Sequence, residues 1–145
     1  MAAREDSADD LTASAPISGL VPMVHVRDVE RSCEFYRLLG FEVGNRVPPS
    51  GPAQWVWLYA PKASDWRRGP NLMLARTECG IDPEAQHSLF YLYAADLVGL
   101  RSELLARGVA AGEITHPDYL PEGEFALRDP DGTRLMIAQS TRETP

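Results

Sequence analysis

The sequence predicts an α+β domain assembled from two tandem βαβββ modules. Three observations predict it. First, a capping aspartate, an amphipathic stretch and a stopping glycine occur twice at one spacing: Asp28 to Gly40 and Asp96 to Gly108, each member 68 residues from its counterpart. Second, Gly69-Pro-Asn-Leu-Met-Leu-Ala-Arg76 returns as Gly132-Thr-Arg-Leu-Met-Ile-Ala-Gln139, displaced by 63, so the second module is shorter by five residues between helix and last strand. Third, the apolar spacing switches between the helical period and the alternation of strands in the same order in both halves.

The elements follow in chain order. Leu20–Arg27 is extended and β-compatible. Asp28 then caps a helix to about Leu39, because its carboxylate can accept from an orphan N–H of the first turn. Val29, Cys33, Tyr36 and Leu39 share one face of that helix, with Arg31, Glu34 and Arg37 mostly opposite. Gly40 ends it. Phe41–Val47 is a strand, Val47–Pro52 a proline-rich loop, Ala53–Ala60 an aromatic-rich strand, Pro61–Pro70 a loop and Asn71–Thr77 a strand. In the second half Ser88–Ala95 is a strand, Asp96 caps a helix to about Arg107, and a short strand is expected near Gly112–Thr115. A loop, His116–Gly123, leads to a strand at Glu124–Arg128. Asp129-Pro-Asp-Gly132 is a tight turn, and Thr133–Gln139 is the last strand. Residues 1–17, rich in Ala, Ser and Asp without apolar period, are expected to be a disordered tail. Residues 18–145 then form one domain, with modules at about 20–77 and 88–139.

The 145 residues suit one domain with a core of its own. The formal charge is −7, of which −3 comes from the first seventeen residues (Arg4 against Glu5, Asp6, Asp9 and Asp10), leaving −4 for the rest. This acidity argues against nucleic acid or an anionic membrane as partner. No apolar run approaches a membrane span, and no basic start precedes an apolar stretch as in a signal peptide. Cys33 and Cys79 have no metal-like spacing and read as free thiols, which points to a reducing cytoplasm. No Ser/His/Asp order, phosphate loop or zinc spacing is present.

Val26-Arg-Asp-Val-Glu-Arg-Ser32, Phe35-Tyr-Arg-Leu-Leu-Gly-Phe41 and the closing Phe125-Ala-Leu-Arg-Asp-Pro-Asp-Gly-Thr-Arg-Leu-Met-Ile137 resemble the first strand, helix and last hairpin of the vicinal oxygen chelate superfamily. That superfamily holds glyoxalases, extradiol dioxygenases, fosfomycin-inactivating enzymes and bleomycin-resistance proteins. The resemblance covers about Leu20 to Gln139 and implies a curled mixed sheet around a central cavity. It also implies four metal-ligand positions, seven residues before each capping aspartate and four after each closing-turn glycine. Here these are Val21, Leu89, Met136 and, by the internal repeat, Met73. Two of them have no donor atom and two are soft thioethers, poorly matched to hard divalent ions. No metal and no cofactor is therefore expected.

By alternation, His25, Met73, Tyr91, Tyr93, Arg134 and Met136 should face the implied cavity with Val21, Met23 and Leu89, while Trp55, Trp57 and Tyr59 share one face of their strand. An apolar, aromatic cavity with few polar handles is typical of a small-molecule pocket. The resemblance is closest in character to metal-free bleomycin-resistance-like members, which sequester a cationic antibiotic in a homodimer. The expected function is accordingly metal-free binding of a cationic or aromatic small molecule by a homodimer. The alternative is a glyoxalase- or dioxygenase-like enzyme with a non-standard site, in which His25 does acid–base work and Tyr93 or Arg134 orients substrate. His116 and Tyr119 read as surface residues, and Asp28, Asp96 and Asp129 as caps and turn formers.

Overall fold

The computed structural model describes residues 16–63, 65 and 67–145. The first module runs β1 (Met23–Val26), α1 (Val29–Arg37), β2 (Glu42–Val47), β3 (Trp55–Tyr59) and β4 (Asn71–Arg76). The second runs β5 (Leu89–Ala94), α2 (Leu97–Ala106), β6 (Glu124–Arg128) and β7 (Arg134–Gln139). The strands form a four-stranded sheet ordered β1-β4-β3-β2 and a three-stranded sheet ordered β5-β7-β6. In each, the first strand lies parallel to the last and the remaining neighbours are antiparallel. The pairing scheme of the predicted repeat is thus visible twice, the second copy one strand short of the expected βαβββ. All but the last two residues of the expected tail lie outside the described residues; Pro16 and Ile17 are exposed.

Local chemistry accounts for the helix ends. Asp28 accepts from the Arg31 N–H at 3.2 Å, and Asp96 accepts from the Gly99 N–H at 3.0 Å. Gly40 and Gly108 both adopt the left-handed conformation past the helix ends. The α2 start has a second clamp: Gln139, the last residue of β7, accepts from the Leu97 N–H and donates to the Ala95 carbonyl.

Most elements are a residue or two shorter than the sequence reading, and three show how. Strand β1 begins at Met23 because Pro22 has no N–H to donate, although its carbonyl still accepts from Met73 N at 2.9 Å. Helix α1 closes at Arg37. The strand expected near Gly112–Thr115 is reduced to one bridge, Thr115 to Glu124, plus a bond from Gly112 N to the Ala126 carbonyl. That segment runs alongside β6, and Pro117 and Pro121 in the loop between them have no N–H with which to extend the ladder.

The core lies between sheets and helices and is continuous across the modules. Val26, Val29, Tyr36, Leu58 and Leu74 of the first module belong to one buried cluster with Leu97, Leu104, Phe125, Leu135 and Ile137 of the second. Burial of each such side chain contributes about 1.5–3 kcal/mol. Polar contacts seal the seam. The Asp129-Pro-Asp-Gly turn of the second module docks on the first: Arg27 Nε meets Asp131 Oδ1 at 2.7 Å, and the buried Tyr36 hydroxyl donates to Asp129 Oδ2 at 2.8 Å. Gly132 permits this turn twice over. Its φ is +86°, and a Cβ there would collide with the Pro83 backbone. Asp129 is therefore more than a turn former; it links the modules. Among the described residues no helix is long and apolar enough to cross a membrane.

Candidate functional site

Each sheet buries one face against its helix and leaves the other open. On the open face of the four-stranded sheet, Met23, Met73, Trp57 and Asn45 form one row across the strands, and His25, Ala75, Trp55 and Val47 the next. Tyr59 and Asn71 form a third with Glu42. On the three-stranded sheet the rows are Leu89, Arg134, Arg128; then Tyr91, Met136, Ala126; then Tyr93, Ala138, Glu124. The sequence-predicted residues thus divide into two groups, one per sheet, on the faces that alternation assigned. Apart from Ala138 and Glu124, which are buried, these faces are largely open in the single chain: Val21, Met23, Leu89, Tyr91 and Tyr93 are 38–49% exposed, far above any core position. His25 is exposed as well.

Trp57 anchors the first face. Its Nε1 donates to Asn71 Oδ1 at 2.7 Å, and Asn71 Nδ2 in turn donates to the Gly69 carbonyl at 2.9 Å. The indole stacks on Tyr59 with ring centroids 5.3 Å apart and planes 18° from parallel. Room for it comes from an irregularity in β2. The register slips between Val43 and Asn45, and Gly44 lies under the indole, where a Cβ would overlap the ring. Sequence reasoning treated Gly44 as an ordinary strand residue.

The second face has a parallel feature and one that sequence reasoning missed. Tyr91 and Tyr93 stack at 6.3 Å with planes 29° apart. Beside them Glu124 is only 3% exposed. Its carboxylate accepts from the Tyr91 hydroxyl at 3.2 Å and from the Tyr119 hydroxyl at 3.4 Å. Desolvation of the Tyr91 hydroxyl, its hydrogen bond to Tyr119 and the adjacent Glu124 charge together push that phenol up to about 12. Tyr119, read as a surface residue, is indeed mostly exposed, but its hydroxyl reaches this cluster. The available signal for Glu124 was alternation: it shares the Ala126 and Arg128 side of β6, opposite Phe125 and Leu127. His116 instead bonds the Pro121 carbonyl through Nδ1.

A hollow of about 480 Å³ opens on the second face, bounded by Leu89, Ala110, Gly112, Ala126, Arg134 and Met136 among others.

The model of the glyoxalase/bleomycin resistance protein/dioxygenase superfamily matches residues 20–137. The chain belongs to this superfamily. Solved structures agree on the fold. A bleomycin-binding protein crystallised with bleomycin superposes with a TM-score of 0.67 at 22% identity, covering 86% of this chain and 100% of that one. A bleomycin resistance determinant encoded on the transposon Tn5 gives 0.67 at 22%, covering 86% and 98%. The bleomycin-binding protein of bleomycin-producing Streptomyces verticillus, complexed with copper(II)-bleomycin, gives 0.59 at 23%, covering 88% and 100%. None of the curated proteins matches the chain.

The hard divalent ions Mn²⁺, Fe²⁺ and Ni²⁺ favour nitrogen and oxygen donors. Val21, Met73, Leu89 and Met136 supply two thioethers and nothing else, which does not fit Mn²⁺, Fe²⁺ or Ni²⁺. Among the described residues, no three His, Cys, Asp or Glu side chains group as metal ligands.

Proposed function

We propose that this chain is a metal-free small-molecule-binding protein of the superfamily, which sequesters a flat aromatic ligand much as bleomycin-binding relatives hold their antibiotic. The observation that carries the reading is the pair of preset aromatic stacks, Trp57–Tyr59 on one sheet and Tyr91–Tyr93 on the other, each on the open face beside an apolar methionine. Fixed rings present stacking surface at small entropic cost, and methionine adapts to irregular shapes. The buried Glu124 carboxylate at one end of the second face suits a cationic group on such a ligand, in keeping with the net charge of −7.

The functional unit in this reading is a cytoplasmic homodimer. Exposed Met23, Leu89, Tyr91 and Tyr93 are apolar surface that water solvates poorly. A second copy laid across both faces would cover them and enclose the ligand between a first-module face and a second-module face.

Three measurements test this. Metal analysis of protein purified without chelator is expected to find no stoichiometric Ni, Mn or Fe; stoichiometric metal that survives dialysis would sink the reading. Titration with metal-free bleomycin is expected to quench tryptophan emission in wild type and to do so far less in Trp57→Ala. Sedimentation equilibrium supplies the mass of the unit, and a monomer at micromolar concentration would remove the enclosed site.

A further inference from the structure

The second face carries a charge arrangement that runs against the acidity of the chain. Arg128 and Arg134 are direct partners across the β6–β7 pair, on the rung before the closing turn. Side chains so placed have Cβ atoms roughly 4.5–5.5 Å apart, and like charges there repel. Neither guanidinium belongs to an ion pair among the described residues. Each is instead tethered to the loop leading into β5: Arg128 Nη1 donates to the Pro83 carbonyl at 3.2 Å, and Arg134 Nη2 donates to the His87 carbonyl at 3.4 Å. Both border the hollow of about 480 Å³, whose lining contains no carboxylate. Its other walls, Leu89, Ala126 and Met136 among them, are apolar.

Two tethered cations beside an apolar hollow leave a repulsion that an oxyanion would relieve. We infer that Arg128 and Arg134 form an anion subsite, which takes the carboxylate or phosphoryl group of an amphipathic small molecule whose apolar body lies on Leu89 and Met136. Arginine suits this role because its planar fork gives two parallel N–H donors to one oxyanion. The two ends of the face carry opposite charge. Glu124 lies four residues along β6, roughly 13 Å away at the rise of an extended strand. It would repel an anion and so directs the acidic group to the arginine end, leaving the tyrosine end for a hydrogen-bond donor or cation. The long-range field of an acidic protein also disfavours anions, so recognition here is short-ranged and sensitive to salt. The inference rests on the small-molecule reading of the same face and adds the chemical class of one end of the ligand.

The test uses the full chain with methyl-¹³C-methionine, so that Met136 and Met73 report on the two faces separately. Three probes of one shape are titrated: 4-phenylbutyrate, 4-phenylbutyl phosphate and the neutral 4-phenylbutyramide. At least one acid is expected to move the Met136 methyl with an affinity about tenfold or more above that of the amide. Whichever acid binds tighter identifies carboxylate or phosphoryl as the preferred group. Arg128→Gln and Arg134→Gln should each erode that preference and the double variant abolish it, with the melting temperature unchanged or raised. Equal binding of acids and amide to wild type, or a preference that survives in the double variant, overturns the subsite. If the amide still moves Met136 in that case, the small-molecule reading stands without it; if no probe moves either methyl, both fail.

Discussion

The Tyr36 hydroxyl, in the last turn of the first helix, donates to Asp129 Oδ2 at 2.8 Å across 93 residues of chain. Asp129 Oδ1 meanwhile accepts from the N–H groups of Asp131 and Thr133, both at 2.9 Å. One buried carboxylate therefore shapes the closing turn and fastens it to the other module. Tyr36→Phe would leave Oδ2 buried and short of a partner. A loss of about 1.5–3 kcal/mol is expected, the cost of removing a hydrogen bond to a charged acceptor. Urea denaturation should show it as a lower midpoint at unchanged slope, because one cooperative core spans both modules.

Gly44→Ala should disturb the Trp57–Tyr59 stack from beneath. The new methyl meets the indole, and the Trp57–Asn71 bond opposes a sideways escape. The expected cost is about 1–3 kcal/mol, typical of overpacking. Near-ultraviolet circular dichroism should lose intensity in the tryptophan region, and bleomycin titrations should weaken. A variant with an unchanged aromatic spectrum would mean that the strand irregularity does not set the ring position.

Tyr91 couples pH to the second face. Its phenol is raised from the ordinary value of 10.0 to about 12, so the folded state holds that proton more tightly than the unfolded chain. The associated stabilisation is complete below pH 10 and is lost as pH rises through about 12. Absorbance at 295 nm should show a late-ionising tyrosine that disappears in Tyr91→Phe. Glu124→Gln, which removes the neighbouring negative charge but not the hydrogen-bonding shape, should shift that ionisation to lower pH. Tyr36 is raised too, through burial first and then the Asp129 charge, and should ionise only as the fold opens.

The two thiols should separate cleanly by reactivity. Cys79 is exposed, whereas Cys33 is buried in the core and desolvation pushes its thiol up. A disulfide reagent is expected to titrate one thiol per chain rapidly and the second only in denaturant, since the thiolate is the reactive form. Cys79→Ser should remove the fast phase alone.

The repeat, the order of elements and the sidedness of the strands were all legible in the sequence. Capping aspartates, stopping glycines and period-two alternation are local properties, and local sterics enforce them wherever a core lies on one side. Alternation was enough to say which residues share a side within each strand, but it gathered His25, Met73, Tyr91, Arg134 and Met136 around one cavity; strand pairing divides them between two sheets and sets Trp57 beside Met73. Which side chains meet was decided only by tertiary structure. Glu124 becomes a buried acceptor because the sheet brings Tyr91, 33 residues away, beside it and the preceding loop folds Tyr119 back. Asp129 becomes a clasp because the second module docks its turn against Tyr36. Gly44 matters because a slip in register sets it under Trp57. The division has a physical cause. Sidedness follows from the backbone of a single strand, but contact depends on register and on how the modules pack, and both are settled by the burial of the whole core at once.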